Sequence, residues 1–170
     1  MHSERDLNLV GAFAVAAADA IRQAAERSLG QGASAPAALI TIGAYPGRTI
    51  EQLRQPLGLS QPGALRLVER LEDAGWVARR AANGRGVALS LTPSGEKVVA
   101  DLLQARDTSL GQLLGTLSPS QLRDMAAAAE VVLAAQTENR HDLERLCRLC
   151  HRDRCPDCPV AAVAPDSGDR

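Results

Sequence analysis

The sequence predicts a mainly α-helical fold carrying one small β-hairpin, on three observations. Apolar residues recur at helical spacing along most of the chain, strict alternation appears only around Val87, Leu89 and Leu91, and capping signals divide the helical stretches into discrete pieces. A length of 170 residues at 45% hydrophobic composition is enough for one modest core. Phe13, Tyr45 and Trp76 are the only aromatic residues, so Leu, Val, Ile and Ala must do the packing.

Between Leu7 and Leu29, Val10, Phe13, Ala14, Ala17, Ile21 and Ala24 form one helical stripe, which the glycines of "SLGQGASAP" stop. A short helix, "APAALITIGAY", follows, and "PGRT" ends it. Thr49 and Gln52 then have the spacing of a capping box opening "IEQLRQPLG", a brief helix that stops at Gly58. Ser60 reads as the N-cap of "QPGALRLVERLEDAG", with Pro62 in the first turn, where a missing N–H costs little, and Gly75 as the stop. Two short helices joined by "GLS" make a helix-turn-helix.

After Gly75 the period changes to two. "WVARRA" and "VALSL", joined across "ANGRG", predict a hairpin with a glycine-rich tip. "TPSGEK" starts another helix, carried by Val99, Leu102, Leu103, Leu110, Leu113, Leu114 and Leu117. "SPSQ" ends it, and Ser118 with Gln121 repeats the capping-box spacing. The last helix places Leu122, Met125, Ala126, Ala129, Val132 and Leu133 on one face and is expected to continue to Leu143 and Leu146. The expected divisions are a first helix in 1–34, the helix-turn-helix and hairpin in 35–92, long helices in 93–146, a cysteine segment in 147–159 and a frayed tail in 160–170.

The net charge of -1 excludes a whole-chain electrostatic attraction to nucleic acid, so any basic surface must be local. One exists: residues 48–90 hold Arg48, Arg54, Arg66, Arg70, Arg79, Arg80 and Arg85 against Glu51, Glu69, Glu72 and Asp73. On the helix 61–74, Ala64, Leu67, Val68 and Leu71 share one face, and Pro62, Arg66, Glu69, Arg70 and Asp73 the opposite one. An apolar face seated on the core leaves the polar face free to enter a major groove. Arg66 has the fork that matches guanine, Gln61 the amide that matches adenine, and Gly63 allows close approach. Arg85, between Gly84 and Gly86 at the hairpin tip, can reach a minor groove. The candidate set for double-stranded DNA is therefore Ser60, Gln61, Pro62, Gly63, Arg66, Arg70 and Arg85.

"LSQPGALRLVERLEDAGWVARR" followed by "GRGVALSLTPSGEK" resembles the recognition helix, wing and next helix of the MarR family of winged helix-turn-helix regulators, a likeness running from about Ala35 to about Gln136. The resemblance implies a homodimer that reads a pseudo-palindromic operator through helix 61–74 and wing 79–88, dimerising through its first and last helices. It also implies a wing Asp-x-Arg motif. Arg85 matches the arginine, but Asn83 stands where the aspartate usually does, so the acid that braces the arginine is lost. A small-molecule effector is a further partner that such a regulator could take.

All four cysteines fall within twelve residues, as Cys147, Cys150, Cys155 and Cys158, spaced C-x2-C-x4-C-x2-C. Two C-x-x-C turns can converge on one tetrahedral zinc, and the alternative is an iron-sulfur cluster, for which the Cys-Pro pairs speak and the spacing does not. Redox-active dithiols beside Arg148, Arg152 and Arg154 are a third reading, and unliganded thiols the plain one. His151 is a substitute ligand, while His2 and His141 read as surface residues. The resemblance supplies no role for this segment. The chain is expected to be a cytoplasmic, metal- or redox-modulated regulator, or a small-molecule-responsive one in which a zinc is purely structural.

An enzyme is not expected: there is no phosphate loop, and no nucleophile with a placed base. "MHSERDLNLV" lacks a signal peptide's basic and apolar regions, and the longest apolar run, "VGAFAVAAA", is too short to span a bilayer, so no membrane partner is expected.

Overall fold

The computed structural model describes residues 3–30, 34–81, 87–155 and 157–163. Helix α1 spans Glu4–Leu29, with Ser3 accepting the Asp6 N–H at 3.1 Å and Gly30, at φ 59°, closing it. Glu4 and Asp6 in its first turn suit the positive end of the helix dipole. Helix α2, Ser34–Ala44, is apolar all round and buried from Ala35 to Ile42, so it forms the axis of the core rather than one of its walls.

Around α2 pack α3 (Ile50–Arg54), α4 (Gln61–Asp73), the antiparallel strands β1 (Val77–Ala81) and β2 (Val87–Leu91), and α5 (Pro93–Leu114). The strand register pairs Val77 with Leu91 and Arg79 with Leu89. Leu39, Ile42, Leu53, Leu67, Leu71 and Leu89 are fully buried in one cluster, each contributing about 2 kcal/mol by leaving water. Helix α1 lies along α5.

The third helix is shorter than expected. It ends at Arg54, just before Pro56, which has no N–H to offer a further turn, and the chain turns through Gly58 at φ 64°. The last helix is not continuous either. Helix α6 (Pro119–Ala135) stops where Thr137 turns its hydroxyl back onto the Leu133 carbonyl, and Asn139 then caps α7 (Arg140–Leu146) by accepting the Asp142 N–H at 3.1 Å. Part of the expected tail is ordered as helix α8, Pro159–Val163, with Val160 buried against Leu143. Among the described residues, no helix is long and apolar enough to cross a membrane.

Candidate nucleic-acid interface and cysteine site

Helix α4 is placed from both ends by its own sequence. Ser60 Oγ accepts the Gly63 N–H at 3.2 Å, and at the other end Gly75, at φ 73°, lets its N–H reach the Glu72 carbonyl while Trp76 reaches back to Leu71. Ala64, Leu67, Val68 and Leu71 are buried. Gln61, Pro62, Arg66, Glu69 and Arg70 are consequently exposed, with Gly63 half-buried beside the Ser60 hydroxyl.

Three of the seven arginines counted toward a basic surface are engaged elsewhere. Arg54 pairs with Glu51 at 2.6 Å, Arg79 pairs with Glu72 at 2.7 Å, and Arg48 is drawn inside. The Arg54 guanidinium in turn holds the Glu51 carboxyl below its usual range. Arg66, Arg70 and Arg80 remain exposed, and among the described residues none of the three has a carboxylate partner. Leu65, 40% exposed beside Arg66, was not foreseen as a contact. The available signal was an apolar residue lying off the buried stripe, and an exposed leucine there suits a thymine methyl group. Arg85 and Asn83 lie outside the described residues, as does the rest of the wing tip from 82 to 86.

The wing is tied to the helices at two places. Thr92 donates its N–H to Trp76 O and its hydroxyl to Gly75 O at 2.6 Å, then caps α5 by accepting the Gly95 N–H. A Cβ on Gly95 would lie 2.0 Å from the Trp76 carbonyl oxygen, which is why "TPSG" needs its glycine. On the other edge, Gly47 N–H and Arg48 O both bond Leu89 at 2.8 Å, adding a short third rung to the sheet.

Arg48 links this unit to the C-terminal segment. Its guanidinium takes both carboxylate oxygens of Glu144, which also accepts from Arg140 at 3.0 Å. The Arg48 and Glu144 side chains are 11% and 7% exposed. Burial pushes the Glu144 carboxyl up, but the hydrogen bonds from Arg48 and Arg140 outweigh it and hold the group below its ordinary value. The Tyr45 ring carries Arg48 at 3.9 Å and Arg152 at 4.6 Å from its centre. Sequence reasoning gave Arg48 a place on the DNA surface and did not single out Glu144 or Tyr45.

The structure brings the four cysteines together. Cys147 caps the end of α7, Cys158 stands just before α8, and the short 3-10 turn Arg152–Arg154 carries the chain between the two C-x-x-C turns. All four thiols line one cleft. Hydrogen bonding to Cys150 and burial push the Cys147 thiol up, whereas Cys150, accepting from Cys147 against its own burial and near Arg106 and Arg148, is lowered to about 6. Arg106, Asp107, His151 and Arg154 share the cleft, with Arg154 on Asp107 at 3.2 Å. Among the described residues, no group of three or more His, Cys, Asp or Glu side chains is already arranged to hold a metal ion.

Comparison with known proteins settles what the elements form. A MarR family protein from Bacillus stearothermophilus superposes with a TM-score of 0.67 at 19% identity, covering 78% of this chain and 96% of that one. The fold is the MarR winged helix. MepR, a transcription regulator of the Staphylococcus aureus multidrug efflux pump MepA, gives 0.64 at 20% identity, covering 79% and 98%. The MarR family model matches residues 32–86, which hold α2 to α4 and reach into the wing but end well before Cys147. Transcriptional repressor MprA of Escherichia coli strain K12 is 28% identical over 109 residues, and the match spans 62% of this chain and 62% of that relative's length.

Proposed function

We propose that this chain is a homodimeric, MarR-type transcriptional regulator that reads a pseudo-palindromic duplex through α4 and the wing. The observation that carries the reading is the exposed face of α4, where Gln61, Arg66 and Arg70 reach solvent and, among the described residues, neither arginine makes an ion pair, on a helix capped at both ends. Gln61 in the first turn, Arg66 in the middle and Arg70 in the last turn give this face groups for base edges and phosphates along its length. The match of residues 32–86 to the MarR family, and the likeness to a transcriptional repressor, support the same reading.

Dimerisation is supported by apolar surface that one chain does not cover. Helix α6 has no buried residue, Val131 and Val132 are 72% and 61% exposed, and Leu9, Val10, Phe13, Leu113, Leu117 and Met125 line a groove between α1 and the α5–α6 turn. A second copy placed there would bury this surface and bring two α4 helices to bear on one duplex. The reading makes the chain cytoplasmic, where its duplex is.

A second reading, regulation by a small molecule, is favoured by a polar cleft lined by Tyr45, Arg48, Gln52, Gln55, Arg140 and His141. It lies against the Arg48–Glu144 link, so an occupant there would act on the edge of the wing.

Selection from a pool of random duplexes tests the main reading. Recovered sites should share a two-fold symmetric element whose affinity falls steeply with salt, and Arg66→Ala should relax the preference within it. Recovery of no common element would contradict it.

A further inference from the structure

We propose that Cys147, Cys150, Cys155 and Cys158 form a four-thiolate site for a single zinc ion, which clamps the C-terminal segment against the winged-helix unit. The inference is independent of DNA binding and begins with how the segment is held. Its own core is two residues, Leu143 and Val160, with Leu146 and Ala161 packed against them. That is little apolar surface to fix a turn, a 3-10 segment and a five-residue helix. A cross-link through bound metal would supply what the core does not.

The backbone presents the thiols in two pairs. Cys150 N–H bonds Cys147 O at 3.0 Å, forming the first turn, and Ala162 N–H bonds Cys158 O at 3.0 Å, anchoring the second at the start of α8. One pair thus hangs from the end of α7 and the other from the head of α8, and both pairs face one cleft. Closing all four thiols of that cleft on a single ion would set the sulfurs about 3.8 Å apart, the edge of a ZnS4 tetrahedron with bonds of about 2.3 Å. An iron-sulfur cube binds each thiolate to a different iron and would have to spread them. Cys155 is the exposed member, so it is the ligand that must move inward to complete the set.

Each thiol that binds gives its proton to solvent as the S–Zn bond forms. Four thiolates around a divalent ion leave two negative charges. Arg106 and Arg154 line the cleft and share one carboxylate, Asp107, so the surplus positive charge there would offset part of them. Such a centre would sit about one helical turn from Glu144, whose carboxylate holds Arg48 on the edge of the wing sheet.

The test is elemental analysis of the full chain purified without oxygen and without added metal, followed by cobalt titration of protein stripped by a chelator. One zinc per chain is expected, with the thiols shielded from a thiol reagent until the chelator is added. Cobalt should give the intense bands of a tetrahedral thiolate site. Cys155→Ser, at the exposed ligand, should lose the zinc while keeping its helical circular dichroism. Iron with labile sulfide would overturn the single-ion reading, as would four freely reactive thiols with no cobalt-thiolate band, or a Cys155→Ser chain that keeps its zinc.

Discussion

The Arg48 guanidinium grips both oxygens of the Glu144 carboxylate across 96 residues of chain, in a pocket that excludes most water. One partner also bonds β2 through its backbone, and the other sits on α7, three residues before Cys147. Replacing Glu144 by Gln leaves the buried guanidinium without its counter-charge. We expect Glu144→Gln to cost about 3–5 kcal/mol of unfolding free energy by urea titration, and Arg48→Met with Glu144→Leu to cost much less, because the paired charges are then removed together.

Stability should fall on acidification in a way that depends on Glu144. Its folded value lies below the ordinary 4.5, so the unfolded chain takes up the proton first. The contribution is therefore fully present above about pH 4.5 and is lost as pH drops through the lower folded value. Urea midpoints of the native chain should decline over that window, and Glu144→Gln, which cannot titrate there, should show a smaller decline.

Gly95→Ala should destabilise the chain by at least about 1–3 kcal/mol, since the added methyl meets the Trp76 carbonyl at 2.0 Å and backbone must shift to admit it. Thermal unfolding measures this directly. Gly111→Ala, where nothing lies within 4 Å, is the matched control and should not destabilise.

How much of this was legible follows from range. Ser60, Gly75 and the Thr49–Gln52 and Ser118–Gln121 capping boxes act within a few residues, and the structure has each where the local pattern put it. The break between α6 and α7 was obscured because the apolar stripe runs on to Leu143 across it, although Asn139 carries the capping signal. The inward turn of Arg48 was not legible at all, because its partners reach it only through tertiary packing. The α4 face was legible in both halves, except that Leu65 drew no notice beside the charged residues.

Arg66 and Arg85 should separate in their effects on DNA. Arg66→Ala is expected to cost about 1–3 kcal/mol and relax specificity at one or two positions, as loss of a bidentate base contact does. Arg85→Ala should weaken binding to all sequences together. Affinities for a panel of single-base variants of the selected duplex measure both, and equal, sequence-independent losses would make Arg66 a phosphate contact only.

The most direct measurement is hydroxyl-radical footprinting of the selected duplex, with the stoichiometry of the complex determined by sedimentation. Two chains should protect two half-sites centred about 34 Å apart, one turn of the double helix, so that both α4 helices enter the major groove on one side. A single protected half-site holding one chain would contradict the proposed dimeric reader.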